Sequence, residues 1–91
     1  MTLKAIRQMF QSGQTWIGEN TLHEKANGPR TLTKLNSVEF VWSTANVPRF
    51  HTRFPKAAEI IEAADGYLKF YIHGDHDHTL TLVREDANDN R

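Results

Sequence analysis

The sequence predicts an α+β fold: a small antiparallel sheet of five to six strands with an N-terminal helix and a second short helix. Short runs of β-branched and aromatic residues recur along the chain, and turn-forming residues separate them. Apolar residues show helical spacing in two further segments. Because the strands follow one another closely, an SH3-like partly open barrel is the first prediction, with an open sheet as the alternative.

The first helix is predicted over residues 3–11, with Thr2 as its cap and Gly13 as a left-handed stop. A strand then begins at Thr15, and residues 23–29 are expected to form a loop. The next two strands should form a hairpin around Asn36 and Ser37. Alternation places three side chains of the second of these strands on one face: Val38, Phe40 and Trp42.

The second half of the chain predicts a short strand over residues 50–54 and a helix that begins at Pro55 and ends at Gly66. Residues 67–73 and 79–83 should form the last hairpin. One domain is expected over residues 1–84, because 91 residues cannot build two independent cores. Residues 85–91 lack apolar side chains and predict a flexible polar tail.

Composition and motifs argue against several functional classes. The chain has no cysteine, which excludes disulfides and thiol chemistry, and this suits a reducing cytoplasm. Its serines and glycines lie in no nucleophile or phosphate-binding motif. A chain of this size is also expected to have little room for a ligand pocket of ~300 Å³. The sequence therefore predicts a non-catalytic protein without a cofactor.

Charge is unevenly distributed although the formal net charge is zero. Up to Lys56 the chain carries eight basic and three acidic residues, and beyond it three basic and eight acidic residues. We expect the two halves to pair within the molecule. Pairing between copies, together with an exposed sheet edge, would instead make the chain a self-associating structural protein.

Two surfaces are candidates for contact with a partner protein. Alternation along residues 49–54 places Arg49, His51 and Arg53 on one side of a strand, where they can meet carboxylates. The outward face of the later strand carries aromatic residues around a cation, a pattern typical of protein hot spots, in Tyr67, Lys69 and Tyr71.

The alternative function is nucleic-acid binding through the basic first half of the chain. Cations that gather on one face would neutralise phosphates and give strongly salt-dependent affinity. The candidates for this surface are Arg30, Lys34, Arg49, Arg53 and Lys56.

A histidine-rich turn over residues 73–78 is the only candidate for a metal site. Imidazole nitrogens are common zinc, nickel and copper ligands, and His73, His76 and His78 lie within six residues. Exposed turns also favour Gly, Asp and His for ordinary conformational reasons, and we favour that reading.

Four segments carry a resemblance to a known group: residues 13–16 (GQTW), 30–33 (RTLT), 54–57 (FPKA) and 66–70 (GYLKF). In these segments the chain resembles small accessory proteins encoded by bacteriophages of actinobacteria. The resemblance implies a protein made in the host cytoplasm that binds a host protein and can impair host growth. It implies no particular site residues.

Overall fold

A seven-stranded antiparallel sheet and one short helix make up most of the computed structural model, which describes residues 1–24 and 27–85. Its elements are α1 (Leu3–Gln8), β1 (Thr15–Asn20), β2 (Gly28–Leu35), β3 (Glu39–Ser43), β4 (Phe50–Arg53), a 3₁₀ turn (Ala57–Glu59), β5 (Ile60–Ala64), β6 (Tyr67–Ile72) and β7 (His78–Arg84). The strand order is β4-β3-β2-β1-β7-β6-β5, so β4 and β5 are the two edges of an open sheet. The fold is mostly β. The predicted tail lies outside the described residues, apart from Glu85.

The predicted second helix is wrong. Only Ala57–Glu59 forms a helical turn, and the chain then enters β5, which pairs with β6. The adjacent β-branched residues Ile60 and Ile61 favour a strand. Gly66 takes a φ of +74° in the turn between β5 and β6, so the glycine interpreted as a helix stop belongs to a hairpin. The sheet therefore has one strand more than predicted, and the fold one helix fewer.

The other predicted elements are confirmed, with small shifts of their ends. Helix α1 is shorter than expected, although the Thr2 hydroxyl accepts a hydrogen bond from the Ala5 amide at 3.0 Å as its cap. Strand β2 begins at Gly28, inside the predicted loop. Val38 does not share the buried face of Phe40 and Trp42, because it lies in the turn before β3 and is 61% exposed.

The sheet is strongly curled. Phe40 on β3 and Phe70 on β6 are four strand spacings apart in the strand order, which is ~19 Å across a flat sheet. Their ring centroids nevertheless lie 6.5 Å apart. The two sides of the sheet must therefore fold toward each other around one core.

Helix α1 covers one end of this curled sheet. Ile6 of α1 and the two residues that follow its last turn, Met9 and Phe10, are buried in the core. The Phe10 ring stacks on Trp16 at 4.1 Å and meets Phe40 edge-on at 4.8 Å. These contacts lie where β1 and β3 begin, so α1 leaves the opposite end of the sheet uncovered. In the described part of the chain, no helix has the length and apolar character needed to cross a membrane.

Candidate functional site

A cavity of about 650 Å³ lies at the end of the curled sheet that α1 leaves uncovered. Its lining comes from the last residues of β1 and β6, the first residues of β2 and β7, the whole of β4, and residues of the connections after β1 and β3. The expectation that this chain has little room for a ligand pocket is therefore wrong. The curl separates the sheet walls, and none of the described helices or strands fills the space between them at this end.

Two loops at the mouth of the cavity are held by side-chain hydrogen bonds. The Asn20 side-chain oxygen accepts from the backbone amides of Leu22 and His23, each at 2.8 Å. In the loop after β3, the Val47 amide donates to the Thr44 hydroxyl at 2.9 Å, and the Thr44 amide donates to the Val47 carbonyl at 2.8 Å. These short-range bonds hold the backbone at Leu22 and His23 and in the turn from Thr44 to Val47.

Arg30 lies inside this cavity and is only 3% exposed. Its guanidinium carbon lies 5.3 Å from the Trp42 ring centroid and 5.1 Å from that of Phe50, so two aromatic rings surround the cation. Burial lowers the pKa of Arg30 to about 10, which leaves the group protonated at neutral pH.

Gly18 provides the space that the Arg30 side chain occupies. A Cβ atom at Gly18 would lie 2.4 Å from the nearest guanidinium nitrogen of Arg30, closer than any side-chain contact allows. The guanidinium therefore lies directly against the backbone of β1. A glycine inside a strand often marks such a close approach.

The cavity wall combines apolar and basic groups. Phe50, Ile72 and Leu80 supply apolar surface. Two arginines and three histidines also contribute to the lining: Arg30, Arg53, His23, His51 and His78. Among the described residues, no aspartate or glutamate lines the cavity. Its charged groups are therefore of one sign.

Two of the three partner-binding candidates predicted along residues 49–54 line this cavity. His51 and Arg53 are exposed and line the cavity where it reaches the sheet edge, whereas Arg49 precedes β4 and does not. The His51 ring nitrogen Nδ1 lies 2.6 Å from a Glu39 carboxylate oxygen. Glu39 therefore offsets part of the positive charge on the outer side of β4.

The second candidate surface lies elsewhere. Tyr67 and Lys69 are half-buried on β6, and Tyr71 is 43% exposed with its ring stacked on His73 at 5.5 Å. Four strands separate β6 from β4 in the sheet order. The two sets of candidates therefore do not lie on neighbouring strands.

The five basic candidates for nucleic-acid binding do not share one face. Arg30 is buried in the cavity, while Lys34, Arg53 and Lys56 are exposed. Glu39 lies directly opposite Arg53 in the pairing of β3 with β4. The basic surface is thus interrupted, and nucleic-acid binding stays a prediction.

In the histidine-rich turn, His73 approaches carboxylates of the turn itself and of the 3₁₀ turn. His73 lies 3.4 Å from an Asp77 carboxylate oxygen and 3.7 Å from one of Glu59. His78 approaches the His76 carbonyl at 2.9 Å through Nδ1. Within residues 1–24 and 27–85, no group of three or more His, Cys, Asp or Glu side chains is placed to hold a metal ion.

Within residues 1–24 and 27–85, four close contacts between a carboxylate and a histidine or arginine side chain each join residues of the same charged half. His51 with Glu39 joins residues before Lys56, and Arg84 with Asp65, at 3.4 Å, joins residues beyond it. The two pairs of His73 also lie beyond Lys56. These contacts do not show the expected pairing of the halves.

Two features of the sequence point to the buried side of the cavity. Alternation places Arg30 on the same face of β2 as the core residue Leu32, which marks Arg30 as inward-facing. Gly18 interrupts a strand of otherwise large side chains. Together, an inward arginine and a strand glycine predict a buried cation, although only the fold shows that they meet.

No family model, curated protein or solved structure matches this chain. The resemblance to phage accessory proteins, and the host partner that it implies, therefore stay predictions.

Proposed function

We propose that this chain is a non-catalytic binding protein and that its cavity takes a small organic ligand. The observation that carries the proposal is the cavity itself. Its volume of about 650 Å³ falls within the ~300–1,000 Å³ of typical ligand sites. Its lining also has the typical composition, an apolar wall with a few polar groups that face one space. The lack of a catalytic motif in the sequence supports binding rather than turnover.

The test uses N-phenyl-1-naphthylamine, an uncharged dye whose fluorescence rises in apolar surroundings. The protein should bind it, and Ile72→Trp should weaken binding by about fivefold or more because the larger side chain fills part of the cavity. Ile61→Trp is the matched control, since Ile61 is 47% exposed on β5 and does not line the cavity. Equal affinity in both variants and the parent would place the dye outside the cavity and refute the proposal.

Binding of a protein partner along β4 is a second candidate. One observation favours it: β4 is an unpaired sheet edge that presents exposed Arg53 beside exposed Arg49. Edge strands offer backbone groups to another chain, and arginine is common at interface hot spots. A bacterial protein that the tagged chain retains after nuclease treatment, and loses on Arg53→Glu, would support this candidate.

A further inference from the structure

We propose that an extended peptide with alternating acidic and apolar side chains adds to the free edge of β4, with its acidic side chains beside Arg49 and Arg53 and an apolar side chain in the cavity. This inference rests on the proposed function, because it joins the cavity and the β4 edge in one site and names the chemistry of the partner. Three observations carry it: the backbone groups that β4 leaves unpaired, the reach of the cavity along β4, and the charge of the outer face.

The backbone of β4 offers hydrogen bonds to a further strand. The Phe54 amide donates to the Val38 carbonyl at 2.8 Å, next to the pairing of Arg53 with Glu39. Because hydrogen-bonded pairs alternate along an antiparallel ladder, the backbone groups of His51 and Arg53 point away from β3. In the described part of the chain, no strand pairs with β4 on that side. These groups can therefore bond to an incoming strand.

The cavity reaches this edge of the sheet. All four residues of β4 line it, and Ile72 at the end of β6 lines it as well. Strand β5 pairs with β6 only as far as Phe70, so it does not extend along the last residues of β6. A strand added to β4 would continue the inner face of Phe50 and Thr52, and the side chains on that face would point toward the cavity. Apolar side chains suit the surface that Ile72 and Leu80 supply there.

The charge of the outer face favours an acidic partner. Arg49, His51 and Arg53 are exposed there, and Glu39 approaches His51 at 2.6 Å. Among the described residues, neither Arg49 nor Arg53 forms an ion pair with a carboxylate. A strand added to β4 would place every second side chain on this face, so acidic residues at those positions would lie beside the two arginines.

The test uses fluorescein-labelled synthetic peptides and fluorescence anisotropy. A short peptide in which glutamate and valine alternate should bind the parent protein about tenfold more tightly than a peptide of the same composition with its glutamates and valines in two blocks. A peptide of alternating lysine and valine should bind no better than the block peptide. Equal affinity for the alternating and block glutamate peptides would overturn the inference.

Methylation of the peptide backbone tests edge pairing on the parent protein, without any protein variant. In a strand, the amides of the glutamates and those of the valines point to opposite sides, so only one set can bond to β4. We expect N-methylation of one set to weaken binding about tenfold, and N-methylation of the other set to change it by less than about threefold. Equal losses from both sets, or no loss from either, would exclude edge pairing.

Charge reversal on β4 tests the position of the acidic side chains. Arg53→Glu should weaken binding of the alternating glutamate peptide about tenfold and strengthen that of the lysine peptide. Lys4→Glu is the matched control, because it makes the same charge change at an exposed position on α1 and should alter neither affinity. Equal effects of the two substitutions would assign binding to general charge attraction and overturn the inference.

The cavity substitutions test the position of the apolar side chain. Ile72→Trp should weaken binding of the alternating glutamate peptide about fivefold or more, whereas Ile61→Trp should leave it unchanged. Equal affinity in both variants would exclude the cavity as the place of the apolar side chain.

The outcomes separate this inference from the proposed cavity function. If N-phenyl-1-naphthylamine binds and the alternating glutamate peptide does not, the inference fails while the cavity function stands. If neither binds, both fail. Light scattering on the same samples should show a monomer that binds the peptide. A protein that associates with itself, excludes the peptide and becomes monomeric on Arg53→Glu would identify a second copy as the occupant of β4 and overturn the inference.

Discussion

Arg30 and Gly18 depend on each other at the base of the cavity. The arginine lies inside the sheet because Gly18 has no side chain, and Trp42 and Phe50 then enclose its charged end. Either residue alone is unremarkable in the sequence. The pairing of β1 with β2, which places Trp16 opposite Arg30, brings them together.

The first residue-scale prediction concerns Gly18→Ala. The new methyl group would lie 2.4 Å from the Arg30 guanidinium, so the buried side chain must move. We expect the free energy of unfolding to fall by about 1–3 kcal/mol, as for other overpacked sites. Urea unfolding measures the effect.

Gly74→Ala is the control for this substitution. A Cβ atom at Gly74 would have no neighbour within 4 Å, and its φ is not positive. Its effect on stability should stay within about 0.5 kcal/mol. Equal stability of the two variants would contradict an Arg30 guanidinium held rigidly against Gly18.

Strand β5 is the element that sequence patterns describe least well. Ala57, Ile60, Ile61 and Ala64 have the spacing of a helical face, yet the chain forms a strand over Ile60–Ala64. The Asp65-Gly66 dipeptide, a strong short-range signal for a hairpin, lies between β5 and β6. Pairing with β6 and contact of Ile60 with the core outweigh the helical spacing.

Ala64→Thr distinguishes a strand from a helix at this position. Ala64 is exposed in β5, where a β-branched residue is favoured, so we expect stability to stay unchanged or to rise by up to about 1 kcal/mol. In a helix the same change would cost about 0.5 kcal/mol. Lys4→Thr, at an exposed position of α1, should show that helical cost in the same urea titrations. A loss of stability in Ala64→Thr equal to that in Lys4→Thr would contradict β5.

At the scale of the whole molecule, sequence patterns predict most strands but not the space that they enclose. Alternation correctly indicates the buried faces of β6 and β7, where Leu68, Phe70, Leu80 and Leu82 are each no more than 1% exposed. Local patterns do not report the curl that brings Phe40 to Phe70, because it depends on pairing between distant strands. The cavity is a product of that curl, and this is why sequence patterns place its residues on surfaces or in loops.

The most direct test of the account is a titration of isotopically labelled protein with N-phenyl-1-naphthylamine, followed by backbone amide NMR. The account predicts saturable shifts that centre on Gly18, Arg30, Phe50 and Leu80, at the uncovered end of the sheet. Residues of α1, at the other end, should shift little. Shifts that centre on the outer face of β6, or the absence of saturable shifts at any amide, would contradict the cavity as the binding site.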